Sequence, residues 1–178
     1  VVMLTLGTGI GSGVISGGRL HVGRGMGGEW GHTTLFVPGE QRSCGCGRSN
    51  CLEAFLGTNG LMTTYSQVMR LPYPGSIKEI LEIEPVFNKY CAHIAEGIVN
   101  IVNVHHPECI ILGGGLASVQ MANEVKAQLE VYRHTQLGKL LEGVDVRKAQ
   151  LIDSTIGAAR YAMLRMEQKA KTKAGVAK

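Results

Sequence analysis

One short segment of the chain gathers four side chains of the kind that bind zinc. Between Glu29 and Glu53 stand one histidine and three cysteines, which are His32, Cys44, Cys46 and Cys51. One imidazole and three thiolates make up the ligand set of a closed, tetrahedral structural site. Glycine and asparagine, which tolerate the left-handed backbone of a tight loop, separate the cysteines. The segment therefore predicts a zinc-binding loop around which the rest of the chain is organised.

Two other interpretations of the cluster stay open on the residues alone. The three cysteines can be unrelated buried thiols. A disulfide is less favoured, because the spacing is too tight for comfortable bridge geometry and one thiol would be left over. Cys91 and Cys109 lie far from the cluster, and we expect both to be structural, buried thiols. Five cysteines, three of them clustered, fit a reducing compartment better than a disulfide framework.

The first residues of the chain are rich in glycine. The stretch VVMLTLGTGIGSGVISGGRLHVG predicts a strand, a glycine turn, a second strand, a Gly17-Gly18 turn and a third strand. Backbone N–H groups of such a stretch can approach an anion closely. The residues that would do so are Gly7, Thr8, Gly9, Gly11, Ser12 and Gly13. A phosphate-binding loop and a merely sharp hairpin are equally good interpretations, and no Walker A sequence is present.

The remainder of the chain alternates between helical and strand patterns. Helices are predicted near Leu52, over about 59–69, over 76–84 and over 84–105, where apolar residues share one face. Gly97 within the last of these predicts close packing. The Cys109–Leu112 run suits a buried parallel strand, with a helix from about Ser118, a strand over 144–151 and a helix over about 154–168. The small residues 157–159 predict close helix packing, and the alternating order predicts an α/β fold.

Three glycines follow the buried strand at Gly113, Gly114 and Gly115. A strand, a glycine turn and a helix in succession form a natural nucleotide-contacting turn. The same residues also suit a simple tight connection between a strand and a helix, and the sequence does not decide between the two.

The motifs together resemble the signature of a known family. Glu29-Trp30-Gly31-His32 followed by Cys44-x-Cys46-Gly47-x-x-x-Cys51-x-Glu53 is similar to the signature of the ROK family of sugar kinases and sugar-responsive repressors. The likeness extends to the glycine segment 7–13, the turn at 110–115 and the segment 156–160. One position departs from the pattern. The family usually has glycine just before the third cysteine, whereas this chain has Asn50, which also tolerates a left-handed backbone.

The resemblance implies a fold and a domain organisation. It implies an α/β fold of the actin-like ATPase (ribonuclease H-like) type, in which residues 1–178 form the larger, C-terminal lobe of a sugar kinase with an inserted zinc-binding loop. An N-terminal lobe is then expected to be missing. The family's catalytic aspartate lies in an Asn-Asp motif upstream of the glycine segment, and residues 1–28 contain no Asp or Glu. We therefore expect the catalytic base before Val1 and assign none here.

The resemblance also implies an activity. It implies that the intact protein transfers the γ-phosphoryl group of ATP, with Mg²⁺, to a hexose, as bacterial fructokinases and glucokinases do, and that this chain alone is inactive. Glu29, His32 and Glu53 match positions that bind sugar hydroxyls, and the two glycine turns match positions that contact ATP. Zinc would be structural and would orient His32. The alternatives are an N-acetylhexosamine kinase and a sugar-responsive repressor, whose helix-turn-helix precedes the kinase-like part.

Composition limits the possible partners. The net charge is +4, but four lysines lie in the last ten residues, so we expect residues 169–178 to be a mobile, solvated basic tail and no nucleic acid to bind. No apolar run is long enough to span a bilayer, and no secretory signal is recognisable, which predicts a cytoplasmic protein that does not bind membranes. Hydrophobic residues make up 44% of the chain, enough for one sizeable core. Family analogy predicts a homodimer.

Overall fold

The computed structural model of the chain describes residues 1–151 and 155–176. Its strands form one sheet in the order β3-β2-β1-β4-β5. β1 pairs antiparallel with β2, and β2 with β3, whereas β4 is parallel to both β1 and β5. The strands are β1 Val2–Leu6, β2 Ile10–Ser16, β3 Arg19–Leu20, β4 Cys109–Gly113 and β5 Asp145–Lys148.

Alternation of side chains along the strands explains which face of the sheet is buried. Val2, Leu4 and Leu6 of β1 are buried, and the parallel register places Val2 opposite Ile110 and Leu4 opposite Leu112, which are also buried. Met3 and Thr5, which point to the other face, are half-buried. One face of the sheet therefore carries the core, as the period of two along a strand requires.

The long helix α4 is the centre of the helical packing and contacts α1, α2, α3, α5 and α6. The helices are α1 Leu52–Leu56, α2 Thr58–Met69, α3 Ile77–Glu82, α4 Glu84–His105, α5 Val119–Leu129, α6 Gln136–Leu141 and α7 Thr155–Val176, with 3₁₀ turns at Trp30–His32 and Glu130–Tyr132. A Cβ atom on Gly97 would lie 2.6 Å from Leu52 Cδ1, so the predicted close packing at Gly97 is confirmed.

Most predicted elements are confirmed. The bounds of α4 are those predicted, and its predicted apolar face is buried at Phe87, Tyr90, Cys91, Ile94, Ile98, Ile101 and Val102. β4 is a parallel strand, and Ser118 caps α5 by accepting the backbone N–H of Met121. Of the two thiols outside the cluster, Cys91 is buried and Cys109 is half-buried.

Three predictions at the C-terminal end need correction. Strand β5 is shorter than the predicted 144–151, and α7 continues to Val176 rather than ending near residue 168. The prediction of close packing at 157–159 is wrong, because these residues are exposed and a Cβ on Gly157 would meet no atom within 4 Å. Helix α6, which carries no buried residue, was not predicted. The mobility of 169–178 stays a prediction, and its last two residues lie outside the described part of the chain.

None of the helices in the described residues combines the length and the apolar character needed to cross a lipid bilayer.

Candidate functional site

The four predicted zinc ligands lie together. Their ligand atoms are all within 4.8 Å of one another, and no other such group of His, Cys, Asp or Glu occurs within residues 1–151 and 155–176. His32 Nδ1 is 3.8 Å from Cys44 Sγ, and Cys46 Sγ is 3.6 Å from Cys51 Sγ. Ligand atoms on a tetrahedron with metal–sulfur distances near 2.3 Å are about 3.8 Å apart. The arrangement fits one tetrahedral ion.

Three short elements bring the ligands to this place. His32 ends the first 3₁₀ turn, and Cys51 precedes the first residue of α1. Cys44 and Cys46 lie in the loop between them, where the backbone N–H of Cys44 donates to Arg48 O at 2.8 Å. An isolated bridge between Thr34 and Cys51 joins the two sides of the site. We call residues 32–51 the zinc loop.

The chemistry of the thiols also favours a cation. Burial and the neighbouring thiols of Cys46 and Cys44 raise the pKa of Cys51 to about 12, so its thiolate is disfavoured without a positive charge nearby. The backbone N–H of Arg48 lowers the pKa of Cys46. All five cysteines are free thiols. The disulfide interpretation is therefore wrong. The donor set fits zinc, because zinc binds cysteines as thiolates and its binding releases the thiol protons.

Glu53 lies between the zinc loop and the glycine segment. Its Oε1 is 3.7 Å from Cys44 Sγ, and its Oε2 accepts the backbone N–H of Ile10 at 3.0 Å. A Cβ atom on Gly9 would lie 2.5 Å from Glu53 Oε2, so glycine is required there for the carboxylate to approach. This half-buried carboxylate joins the two motifs that the sequence singled out.

The other two predicted sugar-binding residues, His32 and Glu29, differ in their burial and in their partners. His32 is half-buried and presents Nδ1 to Cys44, which leaves Nε2 for a separate partner. Glu29 is exposed at the start of the 3₁₀ turn, and its side chain makes no capping hydrogen bond there. The structure thus brings His32 and Glu53 to one thiol and leaves Glu29 at the rim.

The glycine segment divides into a turn and a strand. Gly7, Thr8 and Gly9 form the tight connection between β1 and β2, where the N–H of Gly7 donates to Gly9 O at 3.2 Å and Thr8 is exposed. Gly11, Ser12 and Gly13 lie within β2 instead. Of the predicted phosphate-contacting residues, the first three are therefore the ones placed at an open turn.

The hydroxyl of Ser12 is already engaged within the protein. Ser12 Oγ donates to Gly28 O and accepts the backbone N–H of Trp30 at 3.0 Å. A Cβ atom on Gly31 would lie 2.4 Å from Ile10 O, so the 3₁₀ turn packs in direct contact with β2. Ser12 therefore positions the 3₁₀ turn that carries His32, and its predicted contact with phosphate stays a prediction.

The two predicted nucleotide turns meet at one edge of the sheet. Because β1 and β4 are adjacent and parallel, the turn after Leu6 and the turn after Leu112 leave the sheet side by side. Gly114 has φ +88, and a Cβ atom there would lie 2.3 Å from Leu6 O. The carboxyl ends of parallel strands are where α/β sheets bind ligands.

Sequence reasoning missed a buried guanidinium within the zinc loop. Arg42 is only 6% exposed, and its Nε and Nη2 donate to Glu40 Oε2 at 2.9 and 2.6 Å. Its Cζ lies 4.4 Å from the ring centroid of Phe55. On α2 it donates to Gly60 O, Thr64 Oγ1 and Gln67 Oε1 at 2.9, 3.2 and 2.8 Å. A single charged residue two positions before the first cysteine was the only signal for this role.

His93 of α4 completes the cluster around Arg42. It is 2% exposed, and neither ring nitrogen has a hydrogen-bond partner among the described residues. Nε2 lies 4.0 Å from Glu40 Oε1. Burial, with the charges of Arg42 and Lys89, lowers the pKa of His93 to about 4, against a smaller opposite effect of Glu40. The imidazole is therefore neutral at pH 7.

Comparison with known proteins identifies the family of the chain. A model of the ROK family matches residues 1–164. The chain belongs to the ROK family. It is 29% identical over 174 residues to a glucokinase of Halalkalibacterium halodurans, with 85% of this chain and 52% of that protein covered. It is 33% identical over 138 residues to an N-acetyl-D-glucosamine kinase of Pasteurella multocida, with 66% of this chain and 44% of that protein covered.

A solved structure shows the same fold. A ROK family glucokinase from Streptomyces griseus, in complex with glucose and AMPPNP, matches with a TM-score of 0.62 and 26% identity, over 84% of this chain and 55% of that chain. The predicted family and the predicted actin-like sugar-kinase fold are thereby confirmed. The chain spans about half the length of the curated relatives it matches.

Proposed function

We propose that the intact ROK protein phosphorylates a hexose or an N-acetylhexosamine with ATP and Mg²⁺, and that this chain supplies its sugar-binding loop and part of its nucleotide site. The position of Glu53 carries the proposal. Its carboxylate reaches Cys44 of the zinc loop with one oxygen and the N–H of Ile10, after the glycine turn, with the other. A sugar bound at Glu53 would lie next to the turn expected to hold phosphate.

Each sugar-binding residue has a chemical role. The carboxylates of Glu29 and Glu53 would accept hydrogen bonds from neighbouring sugar hydroxyls, and His32 would contribute Nε2. Zinc, held by His32, Cys44, Cys46 and Cys51, would be structural because all four tetrahedral positions are filled by protein. With Nδ1 directed to the thiol of Cys44, the imidazole is fixed in orientation, and its other nitrogen can serve the substrate.

The nucleotide would be bound through backbone groups. Gly7, Thr8 and Gly9 form one turn and Gly113, Gly114 and Gly115 form the other, at the carboxyl ends of adjacent parallel strands. Glycine-rich turns let several N–H groups approach phosphate oxygens. Gly11, Ser12 and Gly13 would contribute by shaping β2 beneath the first turn.

Proton abstraction from the sugar hydroxyl is assigned to a part of the intact protein outside this chain. Neither Glu29 nor Glu53 is proposed as the base. General-base catalysis is worth about 10²–10⁴-fold, so we expect the 178-residue chain to bind sugar weakly and not to phosphorylate it. A homodimer, a cytoplasmic location and the absence of nucleic-acid binding stay predictions.

Calorimetric titration tests the sugar site. The chain is titrated with glucose, mannose, fructose and N-acetylglucosamine, and the best ligand is repeated with Glu53→Gln and with Glu82→Gln. Glu82 is exposed at the end of α3 and is not one of the proposed sugar-binding residues, so Glu82→Gln is the matched control. We expect Glu53→Gln to weaken binding at least tenfold and the control to leave it unchanged. Equal binding by both variants would contradict the role of Glu53.

A coupled assay of ADP release tests the reaction. The full-length gene product is expected to turn over ATP in the presence of the best sugar, and this chain alone is not. Robust turnover by the chain alone would place the base within it, at Glu29 or Glu53. A full-length product that releases operator DNA on sugar binding, without kinase activity, would identify a repressor instead.

A further inference from the structure

Asn50 immediately precedes the ligand Cys51. It lies where the two arms of the zinc loop meet, at Glu40, Arg42 and Asn50, and we call this place the neck of the loop. The φ of Asn50 is +57, in the left-handed region that favours glycine and that asparagine adopts more readily than other residues with a Cβ atom. Glycine would hold the same backbone at this position. The turn therefore does not need the Asn50 side chain.

The side chain nevertheless makes two hydrogen bonds across the neck. Asn50 Oδ1 accepts the backbone N–H of Arg42 at 2.7 Å, and Asn50 Nδ2 donates to Glu40 O at 3.3 Å. The backbone adds a third, because the N–H of Asn50 donates to Arg42 O at 2.7 Å. Within the zinc loop, Glu40 and Arg42 precede Cys44 and Cys46 and Asn50 follows them, so these bonds join the two arms of the loop.

Beyond the neck, Arg48 ties the loop tip to the other side of the site, because its Nη1 donates to His32 O at 2.9 Å and its Nη2 to Thr34 Oγ1 at 3.1 Å. Gly45, Cys46, Gly47 and Arg48 are exposed. Within the tip, the N–H of Cys44 donates to Arg48 O and the N–H of Gly47 donates to Cys44 O, at 2.8 and 3.0 Å. A glycine-rich, exposed tip has much conformational freedom to lose when it is ordered. The position of Cys44 and Cys46 therefore depends on the closed neck as well as on the hydrogen bonds of Arg48.

The closed neck is in turn fixed to the core. Arg42, which donates its N–H to Asn50 and accepts the N–H of Asn50 at its carbonyl, extends its guanidinium between Phe55 and α2, where it is buried. Asn50 O also accepts the N–H of the buried Leu35 at 2.8 Å. The neck is thereby attached on both sides to buried residues.

We propose that Asn50 is a clasp: its side chain closes the neck of the zinc loop and keeps Cys44 and Cys46 beside Cys51 and His32 before the metal arrives. The inference rests on the proposed zinc site. A loop that is already ordered loses less freedom on binding and releases its ligand more slowly. Asn50 is thus a positioning residue that acts through the loop and does not touch the ion.

The rate of zinc release from the complete chain into excess chelator tests the clasp. Asn50→Gly keeps the backbone and removes both side-chain bonds, whereas Asn50→Asp keeps the acceptor for Arg42 and loses the donor to Glu40. We expect release to be about tenfold faster in Asn50→Gly, the factor for two lost neutral hydrogen bonds, and about threefold faster in Asn50→Asp.

Arg70→Gly is the matched control. Arg70 also has a left-handed backbone, with φ +56, and its side chain is exposed. The Arg70→Gly variant should release zinc at the wild-type rate. Release from Asn50→Gly at the wild-type rate would overturn the clasp. Should Asn50→Gly fail to fold by circular dichroism, Asn50→Asp carries the same comparison.

Hydrogen exchange in the reduced, metal-free chain gives a readout that does not depend on zinc. The amide of Arg42, which donates to Asn50 Oδ1, should exchange about tenfold faster in Asn50→Gly than in the wild type and in Arg70→Gly. Equal exchange in all three proteins would overturn the clasp even if zinc binds. Faster exchange in a chain that binds no zinc would support the closed neck and refute the zinc site.

Discussion

The zinc loop holds its shape through side chains, whereas the glycine turns hold theirs through the absence of side chains. In the zinc loop, four ligands, the amide of Asn50 and the guanidinium of Arg42 tie together a chain that has little secondary structure. In the turns, Gly9 and Gly114 let a carboxylate and a backbone carbonyl approach to distances that no Cβ atom permits. The first region depends on charge and metal, and the second on steric fit.

This difference has a consequence for perturbations. A region held by ligands and ion pairs should respond to metal removal, charge changes and acid. The stability of a region held by close backbone contact should not change with any of these three. It should fall when a single methyl group is added at a glycine. Glu53 touches both regions and should report on either.

Metal removal should have the largest effect. With free zinc at about 1,000 times its dissociation constant, chelation should lower the free energy of unfolding by about 4 kcal/mol. Thermal melting with and without chelator measures this effect. Cys46→Ser should lower the melting temperature in zinc and abolish the response, whereas Cys109→Ser, outside the cluster, should keep it. A metal content near zero in protein never exposed to chelator would contradict the zinc site.

Arg42→Met should cost about 3 kcal/mol, the low end for breaking a buried ion pair, because it leaves Glu40 without its partner. Burial raises the pKa of Glu40, but the hydrogen bonds and charge of Arg42 outweigh it, so the carboxylate is charged in the wild type and loses its main stabilising partner in the variant. Urea unfolding measures the loss. Arg48→Met, at an exposed arginine of the same loop, should cost about 1 kcal/mol or less. Equal losses would show that burial of Arg42 is not important.

Acid should weaken the support of the zinc loop through His93. Its folded-state pKa, about 4, is below the ordinary value of 6.5, because burial and nearby cations oppose protonation. The unfolded chain therefore binds the proton first, and stability that is full above about pH 6.5 is lost as the pH falls towards 4. The loss should reach about 2–3 kcal/mol at pH 4.

Unfolding of the metal-free protein between pH 7 and pH 4 measures this dependence without interference from zinc release. His93→Leu, which cannot titrate, should show a shallower decline over the same range. An unchanged slope in this variant would assign the acid sensitivity to other groups.

Gly114→Ala should cost about 2 kcal/mol, since it combines a left-handed backbone with a clash against Leu6 O. Gly115→Ala is the control, because a Cβ atom there meets nothing within 4 Å and its φ is not left-handed. It should change stability by less than about 0.5 kcal/mol. If both variants lose the same stability, the turn does not depend on steric fit at Gly114. Neither loss should depend on zinc.

The sequence determined the local chemistry of this protein. The ligand set of the zinc loop, the glycine turns, the buried face of α4 and the left-handed tolerance of Asn50 all follow from residue type and short-range spacing. Ligand chemistry and helical period are properties of neighbouring residues, and for this reason they can be recognised without a structure.

Only the tertiary structure decided which partners these residues meet. The two glycine turns are adjacent because β1 pairs with β4, although about a hundred residues separate them in the chain. The hydroxyl of Ser12 accepts the backbone N–H of Trp30, and Arg42 is buried against α2. The small residues of α7 are exposed. Contacts between distant segments depend on how the whole sheet and its helices pack, and no local pattern of residues specifies them.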